Sequence, residues 1–246
     1  MKTGIKVIGL MVLVIGLFST TSCKKAADTL QQNTTQQEST ILTEEETAET
    51  IETLLKAEDG GMTQEVSDVT QLSKEEYSNY QSNCNYKGDS TLKISKGGLR
   101  AYDYDLSYDW EVVCNGVLPQ SFNFNSSRKG SYTGPRMEHK GSGSSNLVAT
   151  DILPSQPQLI LNGSHAFSGA SIAVKRSKSV TTALTLNFNN VHVDKSNYTI
   201  ASGDATFTLN ASESGGLSTT ITGSINFLGN GAATVTINNY SYTISI

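Results

Sequence analysis

The chain has 246 residues, 37% of them hydrophobic, and a formal net charge of −5. This length suffices for one domain with a proper core, and the acidic balance gives no support for a nucleic-acid partner. The sequence contains no Walker loop, dinucleotide fingerprint, H-E-x-x-H or G-x-S-x-G motif, which argues against the nucleotide-binding and hydrolase classes that these motifs mark.

The first 23 residues predict a cleaved export signal. Lys2 and Lys6 precede an apolar run over residues 7–18, and small polar residues lead from it to Cys23. As a helix this run would extend about 18 Å, which is too short for a hydrocarbon core of about 30 Å. We therefore interpret residues 1–22 as a lipoprotein signal peptide and Cys23 as the residue that is acylated. The alternative is ordinary secretion, with Cys23 removed or left as a free thiol.

The segment Ser19-Thr20-Thr21-Ser22-Cys23 resembles the looser lipoboxes of Bacteroidetes lipoproteins, with Thr20 at the position where the usual pattern has leucine. The resemblance implies a protein that acyl chains such as palmitate hold in the cell envelope. The expected location is the outer membrane, with the folded domain on the surface or on the periplasmic face.

Residues 23–76 predict an acidic, low-complexity stalk. The stretch from 24 to 76 has thirteen acidic and four basic side chains and no aromatic residue. A segment this polar buries too little apolar surface to offset the entropy of ordering it. One short helix is predicted over 44–58, with Thr43 and Glu46 as a capping box, a narrow apolar stripe and Gly60 as the stop.

Residues 77–246 predict one antiparallel all-β domain, built as a meander, a sandwich or a partly open barrel. Apolar residues alternate with Ser, Thr and Asn, and frequent Gly and Asn break the chain into short segments. Near the end, an Asn-Gly pair at 230–231 and an Asn-Asn pair at 238–239 predict tight turns between three strands that each bury one face. A slip in the alternation at 189–190 predicts a bulge.

The stretch TGSINFLGNGAATVTINNYSYTISI at the end of the sequence is similar in texture to the C-terminal Gly/Ser/Thr-rich β region of small Bacteroidetes lipoproteins. The resemblance covers residues 120–246 and supports the all-β fold class. It includes no chemical motif, so it implies no catalytic residue.

Cys84 and Cys114 are the two remaining cysteines, and in an exported chain they predict one structural disulfide. The loop of about 30 residues that it closes would contribute roughly 3–4 kcal/mol in the chain-entropy model. The long spacing lacks the C-x-x-C geometry of a redox-active or metal-binding pair.

The predicted strand over 102–113 is the most unusual segment, because aromatic and acidic side chains alternate along it. The aromatic face includes Tyr102, Tyr104, Tyr108 and Trp110. The acidic face consists of Asp103, Asp105, Asp109 and Glu111. An exposed aromatic row would bind glycans by stacking, whereas the same row inside the domain would be core, which is the interpretation that we favour.

The acidic face of this strand has three interpretations. A solvated face that pairs with Lys93 or Arg128 of neighbouring strands is favoured. A metal site is disfavoured because successive side chains on one face lie about 7 Å apart, which is too far for one cation without further ligands. The third interpretation is a glycosidase pair, since carboxylates separated by about 5–9 Å serve that chemistry. We expect no metal and no cofactor.

Two other groups of residues carry weaker signals. His139, His165 and His192 lack the spacing of a zinc site and are predicted to be surface or structural histidines. The basic, Gly/Ser-rich stretch over 128–145 is predicted to be a mobile surface loop, with binding of an anionic headgroup or glycan as the alternative.

These features together predict a lipid-anchored cell-envelope protein of binding or structural type, not an enzyme. The expected partners are the membrane, through the N-terminal lipid, and a glycan or another envelope protein. The open edges of a meander would bind such a protein by strand addition. The alternative function is a carbohydrate-active hydrolase that uses the acidic strand face from Asp103 to Glu111.

Overall fold

The structure, a computed structural model, describes residues 41–56, 60–77 and 84–246. The predicted signal peptide, the lipidation site Cys23 and the first part of the predicted stalk lie outside the described residues. From Ile41 to Ile246 the chain forms one compact unit. No helix in the described part of the chain combines the length and the apolar character that a membrane span requires.

Within the described residues, ten antiparallel strands form one sheet, in which each strand pairs with the next along the chain. The strands are β1 (Lys87–Lys96), β2 (Ala101–Asn115), β3 (Leu118–Thr133), β4 (Met137–Thr150), β5 (Gln158–Ala173), β6 (Lys178–Asp194), β7 (Thr199–Ser212), β8 (Ser218–Gly229), β9 (Ala232–Ile237) and β10 (Tyr240–Ser245). The edges of this open sheet are β1 and β10. The prediction of an all-β antiparallel domain is confirmed, and of its three forms the meander is the one observed.

The turns and the bulge lie where the sequence predicts them. Asn230 and Gly231 have φ angles of 53° and 71°, in the left-handed region that these residue types tolerate best. Asn238, with φ of 53°, turns the chain between β9 and β10. The pairing of β6 with β7 shifts register between Asn189 and His192, which is the predicted bulge.

Cys84 and Cys114 form the predicted disulfide, with their Cα atoms 5.6 Å apart. The bond joins the chain just before β1 to the end of β2. The edge strand β1 is therefore covalently tied to β2, its neighbour in the sheet.

The first helix, α1 (Glu44–Leu55), begins at the predicted capping box. The Thr43 hydroxyl accepts a hydrogen bond from the Glu46 amide at 3.1 Å, and the Glu46 carboxylate accepts one from the Thr43 amide at 2.9 Å. The helix ends at Leu55 rather than at 58, so Gly60 is not its stop. Gly60 and Gly61 instead let the chain fold back on the helix, since a Cβ at Gly61 would lie 2.5 Å from the Leu55 carbonyl carbon.

A second helix, α2 (Met62–Glu75), follows directly and was not predicted. Met62, Val66 and Val69 lie on one face of α2, are buried, and belong to the same hydrophobic core as the strands. The prediction of a flexible stalk is therefore wrong for the helical part of 41–76. The folded unit begins at Ile41 and not at residue 77.

Both helices pack against the same face of the sheet. α1 packs against β4, β9 and β10. α2 packs against α1 and β7, and its side chains also bond to β2, β3 and β4. A flat sheet would separate β4 from β10 by about 29 Å, so the sheet must curve for both strands to reach one helix. The opposite face is exposed and carries mainly Ser, Thr and Asn, as in the alternating burial of β6, β7 and β8.

Candidate functional site

An open groove lies between α2 and the edge strand β1, with a volume of about 420 Å³. The helical side of the groove consists of Gly60, Gln64, Asp68, Gln71, Leu72 and Glu75. The sheet side consists of Ser90, Leu92, Ile94, Tyr102, Leu106 and Tyr108. A volume of this size and a mixed apolar and polar lining are typical of ligand-binding sites.

The groove exists because the helices do not fully cover the edge of the sheet. The side chains of Leu92 and Ile94 point to the same face as the core, but Leu92 keeps 36% of its surface exposed and Ile94 is half-buried. On the neighbouring strand, Leu106, which pairs with Leu92, is buried. Leu92 and Ile94 therefore give the groove an apolar wall that a ligand can contact.

A carboxylate and a phenol meet in the wall of this groove. The Tyr108 hydroxyl donates a hydrogen bond to Asp68 Oδ2 at 2.7 Å, and the Gln64 amide donates one to Asp68 Oδ1 at 2.8 Å. Burial raises the pKa of Asp68 above its usual range, and the two hydrogen bonds partly offset this effect. Burial also raises the pKa of Tyr108, with the Asp68 charge as the next cause, so its hydroxyl stays protonated and remains a donor.

The aromatic row of β2 is mostly core, as the sequence favours. Tyr104, Tyr108 and Trp110 are buried, so the row does not present an exposed stacking surface. Trp110 lies across Gly88, where an added Cβ would come within 2.3 Å of the indole. Tyr108 and the half-buried Tyr102 reach the groove, so two of the four predicted ligand-binding residues line it.

The acidic face of β2 is solvated, and its carboxylates have partners on neighbouring strands. The Lys93 ammonium lies 3.4 Å from Asp103 and 3.6 Å from Asp105. These two carboxylates, Asp103 first, raise the pKa of Lys93. Lys87 pairs with Glu111 at 3.2 Å. Exposed pairs of this kind contribute little to stability. Among the described residues, no group of three or more His, Cys, Asp or Glu side chains could hold a metal ion.

Arg128 does not pair with the acidic face, and this part of the prediction is wrong. It lies opposite Leu106 in the register of β2 and β3, so its side chain points to the buried face. There it forms an ion pair with Glu65 of α2. Glu65 is 1% exposed and Arg128 5%, and Arg128 Nη1 lies 3.6 Å from Glu65 Oε1. The guanidinium also donates to the Gly60 carbonyl and lies 4.5 Å from the ring centre of Tyr104.

Two serines and a histidine complete this buried cluster. Ser126 and Ser145 donate to Glu65 Oε2 at 2.7 and 2.6 Å. Ser145 Oγ is also 2.8 Å from His165 Nδ1. Because the serine has one proton and gives it to the carboxylate, the contact requires His165 to donate from Nδ1. With this assignment, the hydrogen bond from His165 to Ser145 and the hydrogen bond from Ser145 to Glu65 each have one donor and one acceptor.

Ser145, His165 and Glu65 are the residue types of a nucleophilic triad, but their arrangement differs from one. In a triad the histidine lies between the nucleophile and the carboxylate, whereas here the serine lies between the other two. All three side chains are buried, so no substrate reaches the serine. The cluster holds α2 on the sheet.

The remaining predicted groups also belong to the fold. His139 is buried, and its Nδ1 lies 2.7 Å from the Ser171 hydroxyl. The stretch over 128–145 is not a mobile loop, because it forms the hairpin of β3 and β4. Within this hairpin Arg136 pairs with Glu49 of α1 at 3.0 Å. Buried and exposed residues alternate along these strands, but many of them are glycine or serine, so the alternation is not visible as apolar and polar residues in the sequence.

A broader depression of about 1000 Å³ crosses β1 to β6 on the exposed face. Small side chains such as Ser127, Ser144 and Ala166 form its floor. Leu92 lines this depression as well as the groove, but the depression lacks a partly buried carboxylate such as Asp68, so the α2–β1 groove is the better candidate.

The chain matches no protein-family model, and comparisons with curated proteins and with solved structures find no similar one.

The Arg128→Met variant should lose about 3–5 kcal/mol of unfolding free energy, because Glu65 would be buried without its counter-charge. The double variant Glu65→Leu/Arg128→Met should recover most of this loss. Urea denaturation of the four proteins in the cycle measures the coupling. Lys93→Met, which removes an exposed ion pair, is the control. If Lys93→Met and Arg128→Met lower the unfolding free energy equally, the buried pair has no special role in stability.

Stability should fall as the pH is lowered from 7 towards 4. Burial lowers the pKa of His139 and of His165 to about 4, whereas unfolded histidine titrates near 6.5. The unfolded chain therefore binds protons first, and each histidine removes up to about 3 kcal/mol as the pH falls through this window. His139→Phe should reduce the drop in Tm between pH 7 and 4.5. His192→Phe is the control, and an identical drop in both variants would refute this cause.

Proposed function

We propose that the protein is a lipid-anchored cell-envelope protein of binding type, whose domain takes its ligand in the α2–β1 groove. The groove is the observation that supports binding. It combines open apolar side chains, Leu92 and Ile94, with a fixed pair of polar groups, Asp68 and Tyr108. Such a combination gives affinity through the apolar surface and orientation through the polar atoms.

Lipid anchoring is supported by the signal-like N-terminus and by the pairing of the cysteines. The chain has three cysteines, and Cys84 is bonded to Cys114. Cys23 is then the remaining thiol, and four small polar residues separate it from the end of the apolar run. Acylation at this position would place the domain beside the membrane, with residues 24–40 between the anchor and the folded unit that begins at Ile41.

Hydrolysis of carbohydrate by the acidic face from Asp103 to Glu111 is the alternative, and it has less support. Asp103 and Asp105 share Lys93, and Glu111 pairs with Lys87. A glycosidase holds its two carboxylates on either side of the bound sugar so that they act on the scissile bond. Three of the carboxylates of this face instead pair with lysines on an exposed strand surface.

Cells that express the protein should incorporate an alkyne analogue of palmitate into it, because Cys23 would be acylated. Cys23→Ser should abolish the label, and the double variant Cys84→Ser/Cys114→Ser should keep it. Click chemistry with a fluorophore, followed by gel electrophoresis, reads the label. Label that persists in Cys23→Ser would refute lipidation at this residue.

A photoreactive benzoylphenylalanine placed at Leu92 should form a discrete adduct in living cells, because a ligand in the groove would lie against it. The matched control is Ile172, which is 37% exposed but lies on the opposite face of the sheet. Mass spectrometry identifies the adduct as peptide or glycan. Equal labelling at both positions, or no adduct at Leu92, would contradict ligand binding in the groove.

A further inference from the structure

The helical wall of the α2–β1 groove carries two carboxylates in a repeated arrangement. The Gln64 amide donates to Asp68 at 2.8 Å, and the Gln71 amide donates to Glu75 at 2.6 Å. Each amide lies four residues before its carboxylate, and the two pairs are seven residues apart. Seven residues make almost two helical turns, so both carboxylates lie on one face of α2, about 10 Å apart along its axis. The helix thus presents two anions to the groove.

Within the described residues, no lysine, arginine or histidine lines the groove. Lys93 points to the opposite face of β1, where it pairs with acids of β2. Lys96 is on the groove face of β1, but it lies opposite Tyr102, whose ring is next to Gly60 at the start of α2. Glu75 is at the other end of this helix. The two acids of α2 are therefore the charged groups of the lining.

The surroundings of Asp68 favour a cation. Its hydrogen-bond donors, the Tyr108 hydroxyl and the Gln64 amide, are neutral, so they orient the carboxylate without offsetting its charge. Burial is the main cause of the raised pKa of Asp68, and the charge of Glu65 raises it by more than the charge of Arg128 lowers it. A partly buried carboxylate in such a negative surrounding is stabilised by an opposite charge at close range.

An apolar surface separates the two carboxylates. Leu72 lies between Asp68 and Glu75 on the same face of α2 and is half-buried. On the sheet side of the groove, Leu92 keeps 36% of its surface exposed and Ile94 is half-buried. Along α2 the lining therefore has the order anion, apolar surface, anion. This order is complementary to a ligand with two positive ends joined by an aliphatic chain.

The dimensions of the groove indicate a small, elongated ligand. Its volume of about 420 Å³ is near the lower end of the roughly 300–1,000 Å³ that small-molecule sites have. A fully extended chain of single bonds advances about 1.2 Å per bond, so the distance of about 10 Å between the carboxylates takes about eight bonds. Two nitrogens joined by about seven methylene groups have this separation.

We propose that the groove binds a linear aliphatic polyamine, with one ammonium group at Asp68, another at Glu75, and the methylene chain against the apolar side chains between them. A carboxylate has about four acceptor positions, so Asp68 can accept from an ammonium in addition to its two present donors. This inference rests on the proposed function, because it names the class of ligand that the groove takes.

Isothermal titration calorimetry with a seven-carbon linear diamine tests this inference. The protein is the mature lipidated chain in phosphatidylcholine nanodiscs, and empty nanodiscs are the blank. We expect saturable binding at one site. The three-carbon diamine is too short to reach both carboxylates and should bind at least fivefold more weakly. Heptanedioate, which has the same length and the opposite charge, should not bind. Equal binding of the short diamine, binding of heptanedioate, or no binding of the seven-carbon diamine would overturn the inference.

Single substitutions locate the binding. Asp68→Asn and Glu75→Gln each remove one charge with little change of shape, so each should weaken the seven-carbon diamine at least fivefold. Asp89→Asn is the matched control, because Asp89 is exposed on the opposite face of β1 and its substitution changes the net charge equally. Circular dichroism confirms that each variant is folded, and Glu75 is exposed, so its substitution leaves the core intact. Wild-type binding by a folded Asp68→Asn or Glu75→Gln protein, or an equal loss in Asp89→Asn, would overturn the inference.

The outcomes separate this inference from the function on which it rests. A photoadduct at Leu92 in cells with the mass of a polyamine would support both. A peptide or glycan adduct there, together with no binding of the diamine, would refute the polyamine and leave groove binding in place. Absence of both the adduct and the binding would refute the groove as a binding site as well.

Discussion

A carboxylate and a guanidinium meet in the apolar layer between α2 and the sheet, and the position of the helix depends on them. Neither Glu65 nor Arg128 reaches water, so each would carry a large desolvation cost alone. The cost is offset because the carboxylate also accepts from Ser126 and Ser145, and because the guanidinium bonds to Gly60. These hydrogen bonds can form only when α2 has one position on the sheet and one rotation about its own axis. Because α2 has few apolar residues, we infer that the Glu65–Arg128 pair selects this arrangement over other ways of packing the helix.

The groove follows from this placement of α2. Asp68 is one helical turn beyond Glu65, on the same side of the helix, and it meets Tyr108 where the sheet nears its edge. Beyond that contact the helix no longer covers the sheet, and the inward side chains of β1 stay partly exposed. The interaction that fixes the helix therefore also fixes the width of the opening and the polar pair in its wall.

The sheet could be predicted from the sequence, and the site could not. Alternation along β2, the Asn-Gly turn at 230–231 and the pair Cys84 and Cys114 are local signals, and each was confirmed. α2 was missed because its apolar residues are few and its acids suggest a solvated chain. The spacing of Met62, Val66 and Val69 was the one signal that could have revealed it. The role of Arg128 needs the register of β3, which no short pattern in the sequence contains.

Hydrogen–deuterium exchange across the whole chain tests most directly that residues 41–75 are part of the fold. If α1 and α2 are packed on the sheet, their amides should exchange as slowly as those of the central strands, and α2 should lose protection together with β3 when urea is added. Exchange of α2 at the rate of an unfolded chain, while the sheet stays protected, would mean that this segment is a stalk after all. The buried ion pair and the groove would then not exist in solution.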